Sequence, residues 1–343
     1  MWPETRTRGE SHSRRMRLLD KIAGSRTPFW LAQGGVAEHS LEVTGPGCYA
    51  AQVVDCPLRF VLGDDLTRAC AELAFADGAR LSGCLDLLRI PARRLWIEWS
   101  DEVHQRVIYE TQRDVAYKAC TGRRVGVLLD GSQDGCRAVM RTFWADADEA
   151  REATLSPLET HLDLRGGFDL AGGFACDSRR SDAATRGLLE HARFRFDDAW
   201  AAYYRAAAHS AALQHDVVHQ SVAAVAGDAP LILAFLLLLT AQGATRSIPV
   251  SRAAINRKRR AHGRAPLLDH IEVRASLEDT PAAEAPGLEP LGRQSPRLHH
   301  VRGHLVRRED RVFWRVPHLR GSAARGMIRS RTVCLSFARH QLH

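Results

Sequence analysis

Lysine is nearly missing from this chain of 343 residues: only Lys21, Lys118 and Lys258 occur among 48 basic residues, so 45 are arginines. A GC-rich coding sequence explains such a bias without invoking function. The chemical consequence stands either way, because arginine presents a planar fork that pairs with phosphate or carboxylate and stacks on bases. No Cys-x-x-Cys pair is present. The eight cysteines, at positions 48, 56, 70, 84, 120, 136, 176 and 334, have neither zinc-ribbon nor thioredoxin spacing and read as reduced, mostly buried thiols. The N-terminal residues, Met1-Trp2-Pro3-Glu4 and then mixed charges, lack the apolar core of a signal peptide, which points to the cytoplasm. The most apolar run, Leu231 to Ala241, falls short of the roughly 20 residues a bilayer span needs. Asp228 and Pro230 border it, so it reads as a buried core helix and no membrane partner is expected.

Motifs for cofactors are also missing. There is no G-x-G-x-x-G, no P-loop, no nucleophile elbow and no H-E-x-x-H. Asp130 to Gly135 begins like a calcium loop, but the twelfth position, which needs glutamate, is Arg141. The paired Gly-Gly-Phe at 166–168 and 172–174 reads as loop flexibility. No cofactor and no metal site are expected.

What is present suits folded cores: 45% apolar and 26% charged residues. The expected fold class is α+β, with an N-terminal antiparallel sheet and helices over 1–175, a helical region over 176–265 and a basic β-containing module over 266–343. Asp64 to Ala76 has helical spacing, with Leu66, Cys70, Leu73 and Ala74 on one face. Arg94–Trp99 reads as a strand after Pro91, and Arg124–Leu129 with Cys136–Trp144 as a hairpin around a Gly-rich turn. His161–Leu164 is a fourth strand candidate. Leu188, Ala192, Phe196, Trp200 and Tyr203 make a near i, i+4 stripe that predicts one long helix over Ala183–Ala208. Helices over 211–226, 230–242 and 251–261 follow, then strands at 267–275 and 312–316, with a Pro/Ala/Glu-rich linker over 280–293 between them.

Trp96 and Trp99 flank Glu98, with Asp101 and Glu102 behind them. In a strand the two tryptophans point to opposite faces, and sheet packing is the expected role. An aromatic–acidic groove for a peptide is the alternative.

Charge is placed unevenly. From Ser251 onward there are 19 basic and 8 acidic residues, a net of +11, so the preceding 250 residues carry −3. A near-neutral body with a basic C-terminal region fits a polyanion-facing surface. Its candidate contacts are Arg257, Lys258, Arg259 and Arg260 on the basic helix, and Arg297, His299, Arg302, His304, Arg307, Arg308, Arg311 and Trp314 beyond it. A run like 257–260 is most often a solvated face. The segment around His299 and His304 carries three readings. The histidines pin a turn at Gly303 as structural residues; they bind a phosphate backbone; or they act as acid and base on RNA, with Arg302 holding the phosphate. The partners this implies are RNA, a ribonucleoprotein, or a protein or nascent chain.

At Pro296, His299, Arg302, Gly303, His304 and Trp314 the chain resembles a group of phage, prophage and plasmid proteins that includes the second named family of type V-A anti-CRISPR inhibitors. The apolar helix at Leu231–Leu239, Ile248-Pro249-Val250-Ser251-Arg252, Asn256-Arg257 and Pro266-Leu267-Leu268-Asp269-His270 also match, and less specifically Ile90-Pro91. The likeness spans roughly Pro230–Pro317. It departs at Val301, where the group has an arginine, at Trp314-Arg315-Val316-Pro317, and from Ser322 onward. The resemblance implies a mobile-element protein that interferes with production of a host or rival protein through its nascent chain, its message or the ribosome. A metal-independent ribonuclease using His299 and His304, and a structural phage protein, are the other function classes the residues leave open.

Overall fold

The structure, a computed structural model, describes residues 17–24, 30–32, 40–42, 46–111, 122–146, 153–166, 187–198, 221–222, 225–276, 297–301, 304–315 and 318–327. In chain order its first unit contains α1 (Leu18–Gly24), β1 (Trp30–Ala32), β2 (Ser40–Glu42), α2 (Pro46–Val54), β3 (Leu58–Leu62), α3 (Asp64–Ala76), α4 (Gly78–Ser82), β4 (Arg94–Ser100) and α5 (Asp101–Thr111). Then come β5 (Arg124–Gly131), β6 (Arg137–Ala145), β7 (Thr154–Asp163), β8 (Ala192–Phe196), α6 (Asp228–Thr240), β9 (Thr245–Val250), α7 (Ala253–Ala261) and β10 (His270–Ala275).

The strands form one ten-stranded sheet in the order β2-β1-β7-β6-β5-β4-β3-β10-β9, with β8 also paired to β7. The sheet is mixed, which corrects the expectation of an antiparallel one: β3 runs parallel to β4 and to β10, and β1 parallel to β7. Parallel neighbours need a crossover, and α3 with α4 supplies it between β3 and β4. The run Leu58-Arg59-Phe60-Val61-Leu62 that makes β3 is too short for periodicity to announce it, so the crossover could not be inferred. The β5–β6 hairpin forms as expected, with Gly135 at φ +66 in its turn.

Helices cover both faces. α3 packs on α5 and α6 and touches β4 and β10, while α1 and α2 pack together and α1 reaches β4 and β5. α6 is buried from Asp228 through Leu238, and apolar all round, as a central helix must be. Phe235 on α6 meets Phe60 of β3 at 5.5 Å between ring centroids. The opposite core joins Leu18, Leu19 and Ile22 of α1 to Val61, Trp96, Leu128 and Phe143. Because both faces are covered, Trp96 and Trp99 are each 0% exposed although they point opposite ways. That leaves no aromatic groove for a peptide at these two residues. No helix among the described residues is long and apolar enough to cross a membrane. Cys56, Cys70, Cys84 and Cys136 are buried thiols.

The long helix expected over 183–208 is contradicted where it is described: Ala192–Phe196 is strand β8, antiparallel to β7. Ala192 and Phe194 are buried and Arg193 and Arg195 are not, a period of two. The i, i+4 stripe and this alternation share Ala192 and Phe196, and the free edge of β7 decides between them.

The chain divides into two compact units, 1–275 and 276–343. The basic helix and strand β10 therefore belong to the first unit, later than either expected boundary, because β10 is hydrogen-bonded into the large sheet. The second unit contains β11 (Arg297–Val301), β12 (His304–Arg308), β13 (Arg311–Arg315), β14 (His318–Arg320) and β15 (Ser322–Met327), arranged as β14-β11-β15 and a β12–β13 hairpin.

Candidate nucleic-acid interface

Helix α7 stands between β9 and β10 at the sheet edge and buries none of its residues. A nine-residue helix with no buried face needs its ends satisfied. Asp269 Oδ1 accepts the Arg252 N–H at 2.5 Å, capping the N-terminus. At the other end Gly263, at φ +64, closes the helix in the left-handed region, and Arg264 N–H reaches Arg259 O at 2.9 Å. In the middle, Asn256 grips the backbone of Leu267 with both halves of its amide, each at 2.8 Å. Lys258, Arg259 and Arg260 fall in the last turn, where cations offset the helix dipole. Helix stability therefore draws on the same residues that the sequence offers as candidate contacts.

Of the four expected contacts on α7, Arg257, Lys258 and Arg260 are exposed, while Arg259 is half-buried and donates to Ala265 O at 2.7 Å. No acidic residue interrupts the helix. Beside it lies an open cleft of about 300 Å³ whose lining includes Arg59, Asn256, Arg260, Pro266, Leu267, Leu268 and Asp269. Arg59, in the strand that periodicity did not reveal, is the contact that sequence reasoning missed. Its signal was a single arginine inside an apolar run. Its guanidinium donates to Val53 O and Asp269 O, each at 3.1 Å, and to Val54 O, so it ties the carbonyl end of α2 to the cleft wall.

The wall at 267–270 is anchored from beneath. Asp20 of α1 accepts the Leu268 N–H at 2.7 Å, and His270 Nδ1 lies 3.2 Å from Leu268 O. His270 is 4% exposed and burial lowers its pKa, so it is neutral at pH 7. Burial pushes the Asp20 carboxyl up to about 6, against the Leu268 hydrogen bond, which lowers it. A carboxyl whose pKa is higher folded than unfolded stabilises below its unfolded pKa, and that stability is lost as pH rises through about 6. Stability is thus expected to fall between roughly pH 4 and 7 by up to about 3 kcal/mol from this group. Urea unfolding at a series of pH values should show that slope in the wild type and a flatter one in Asp20→Asn, which keeps the acceptor. Equal slopes would show that Asp20 does not carry it.

Behind the site sits Glu98, wholly buried. It accepts the backbone N–H of Leu18 and Leu19 at 3.1 and 3.0 Å, the Trp96 indole N–H at 3.4 Å and Arg124 Nε at 2.5 Å. Burial drives its pKa up, but Arg124, the Leu19 N–H and Arg17 more than offset this and hold it below the usual glutamate value. On the other face of the sheet, His104 is fully buried with its Nδ1 3.8 Å from the Asp101 carboxylate. Asp228 is buried nearby, and burial followed by the charge of Asp101 raises its pKa well above the carboxylate range.

In the second unit, Arg297 is exposed on β11 opposite Ser322. Arg307, Arg308 and Arg311 are exposed on the β12–β13 hairpin, and Trp314 is half-buried. Arg308 stands opposite Arg311, and alternation puts Arg315 on their face and Trp314 on the other, opposite Leu305. The hairpin therefore groups Arg308, Arg311 and Arg315 on one face and leaves Trp314 on the other, with Arg307. The backbone of His299 pairs with Arg320 in one sheet and that of His304 with Arg315 in another. Arg302, Gly303, Pro296 and the rings of His299 and His304 lie outside the described residues, as does most of the segment read as a helix over 211–226. Among the described residues no group of three or more His, Cys, Asp or Glu is placed to hold a metal. No family model, curated protein or solved structure matches the chain.

Proposed function

We propose that the protein is a non-enzymatic binding protein that engages RNA or a ribonucleoprotein through helix α7 and its cleft. In this reading it is a mobile-element protein that acts on production of another protein, which the likeness of Pro296, His299, Arg302, Gly303, His304 and Trp314 to the phage and plasmid inhibitor group supports. The observation that carries the binding reading is the charge of the α7 corner. Between Thr245 and Ser276, eight basic residues stand against only Asp269 and Glu272. Of the two acids, Asp269 caps the helix, and Glu272 is paired with Arg274 at 2.6 Å. Arg257, Lys258 and Arg260 have no such neutralisation on their own helix. Cations on a helix anchored at both ends and in the middle meet phosphates without the backbone having to be ordered first.

Fluorescence anisotropy with a labelled single-stranded RNA tests this. Neutralising three phosphate contacts lowers the slope of log K against log salt by about 0.7 each. The variant Arg257→Gln/Lys258→Gln/Arg260→Gln is therefore expected to bind more weakly with a slope shallower by about 2. Unchanged affinity and slope would remove α7 from the interface. Release of 2′,3′-cyclic phosphate ends by the wild type, lost in folded His299→Ala and His304→Ala variants, would replace the binder by a ribonuclease.

A further inference from the structure

The cleft beside α7 has three chemically different walls. One is guanidinium: Arg260, exposed, and Arg59, which uses three of its five N–H groups on carbonyls. The second is apolar, with Pro266 exposed and Leu267 and Leu268 half-buried. The backbone of Leu267 is gripped by Asn256 and that of Leu268 by Asp20, which fixes the wall in place, and Leu268 packs in part on the core beneath α1. The third is the Asp269 carboxylate. Its Oδ1 is occupied by the Arg252 N–H, a bond that does not engage Oδ2, and the residue lines the cleft. A volume of about 300 Å³ is at the lower limit of roughly 300–1,000 Å³ for small-ligand sites.

A ligand complementary to these walls carries an anion at one end, a flat weakly polar body, and a hydrogen-bond donor. We propose that the cleft holds one nucleotide of a single-stranded RNA. Its phosphate lies on Arg260 and Arg59, its base on Pro266–Leu268, and its ribose 2′-hydroxyl donates to Asp269. The 2′-hydroxyl is the group by which a protein distinguishes RNA from DNA at a single position. This inference rests on α7 facing a polyanion and adds where one nucleotide sits and why it is a ribonucleotide.

The test uses the full chain and pairs two charge reversals on the same helix. Arg260→Glu acts inside the cleft, and Lys258→Glu makes the same charge change outside it. With a labelled mixed-sequence RNA of 12 nucleotides, Arg260→Glu is expected to weaken binding about tenfold more than Lys258→Glu. That difference is the loss of one charge-assisted contact. The wild type should bind RNA several-fold more tightly than DNA or 2′-O-methyl RNA of the same sequence. Asp269→Asn keeps an oxygen to cap α7 and should narrow that gap. Circular dichroism and melting confirm that each variant is folded. Equal weakening by the two reversals overturns the cleft and leaves the basic helix standing; no weakening by either overturns both. Equal affinity of the wild type for RNA and DNA overturns the ribose contact and the proposal with it.

Discussion

Glu98→Gln is expected to destabilise the protein by about 3–5 kcal/mol, the usual loss when one member of a buried ion pair is removed. The carboxylate is 0% exposed and is the shared acceptor for two N–H groups at the start of α1, the Trp96 indole and Arg124. Glutamine preserves the shape but offers one oxygen in place of two and turns a donor toward groups that are themselves donors. Arg124 is then left without its counter-charge, and α1 loses an anion at its positive end. The melting midpoint should fall by roughly 10 °C. Since α1 carries Asp20, which holds the cleft wall at Leu268, RNA affinity should fall with the loss of stability even though Glu98 is remote from solvent. A variant melting within a degree or two of the wild type would show that α1 docks without this carboxylate.

Trp96→Ala should cost about 3–5 kcal/mol, as truncation of a large buried aromatic does. A second substitution separates packing from mere size. A Cβ at Gly126 would lie 2.2 Å from Trp96 Cζ2, so the indole lies across the space that a side chain on β5 would fill. No rotation of a flexible chain end relieves that overlap, because Trp96 is enclosed by Phe143 at 5.7 Å and by the core beneath α1. Gly126→Ala is therefore expected to cost more than about 2 kcal/mol alone and far less beside Trp96→Leu, a coupling above about 1 kcal/mol. Urea unfolding of the four proteins measures it. Additive effects would place the indole elsewhere.

The local elements were legible where a period ran long enough. α3 appeared over the expected residues, β4, β5 and β6 within a residue or two, and α6 as an apolar run too short for a membrane. Helix α7 and its basic residues could also be read directly, because charge and helical propensity are properties of the segment itself. The short strand β3 could not, nor could the parallel pairings it makes, which join Phe60 to Ile97 across the α3–α4 crossover and to Ile271 far along the chain. Strand β8 shows the reverse error. Its apolar residues fit a helix and a strand equally, and the open edge of β7 settled the matter.

The sequence by itself determined the charge asymmetry, the hairpin, the buried helix and the identity of the exposed cations on α7, all consequences of composition and short-range period. Only the tertiary structure decided that α7 belongs to the large sheet's unit through β10, that Arg59 and Asp269 complete a cleft with Arg260, and that Glu98 anchors the helix beneath it. The reason is physical. Propensity and amphipathicity act over a few residues, whereas a cleft or a buried carboxylate exists only when distant segments exclude water together and each polar group must find a partner.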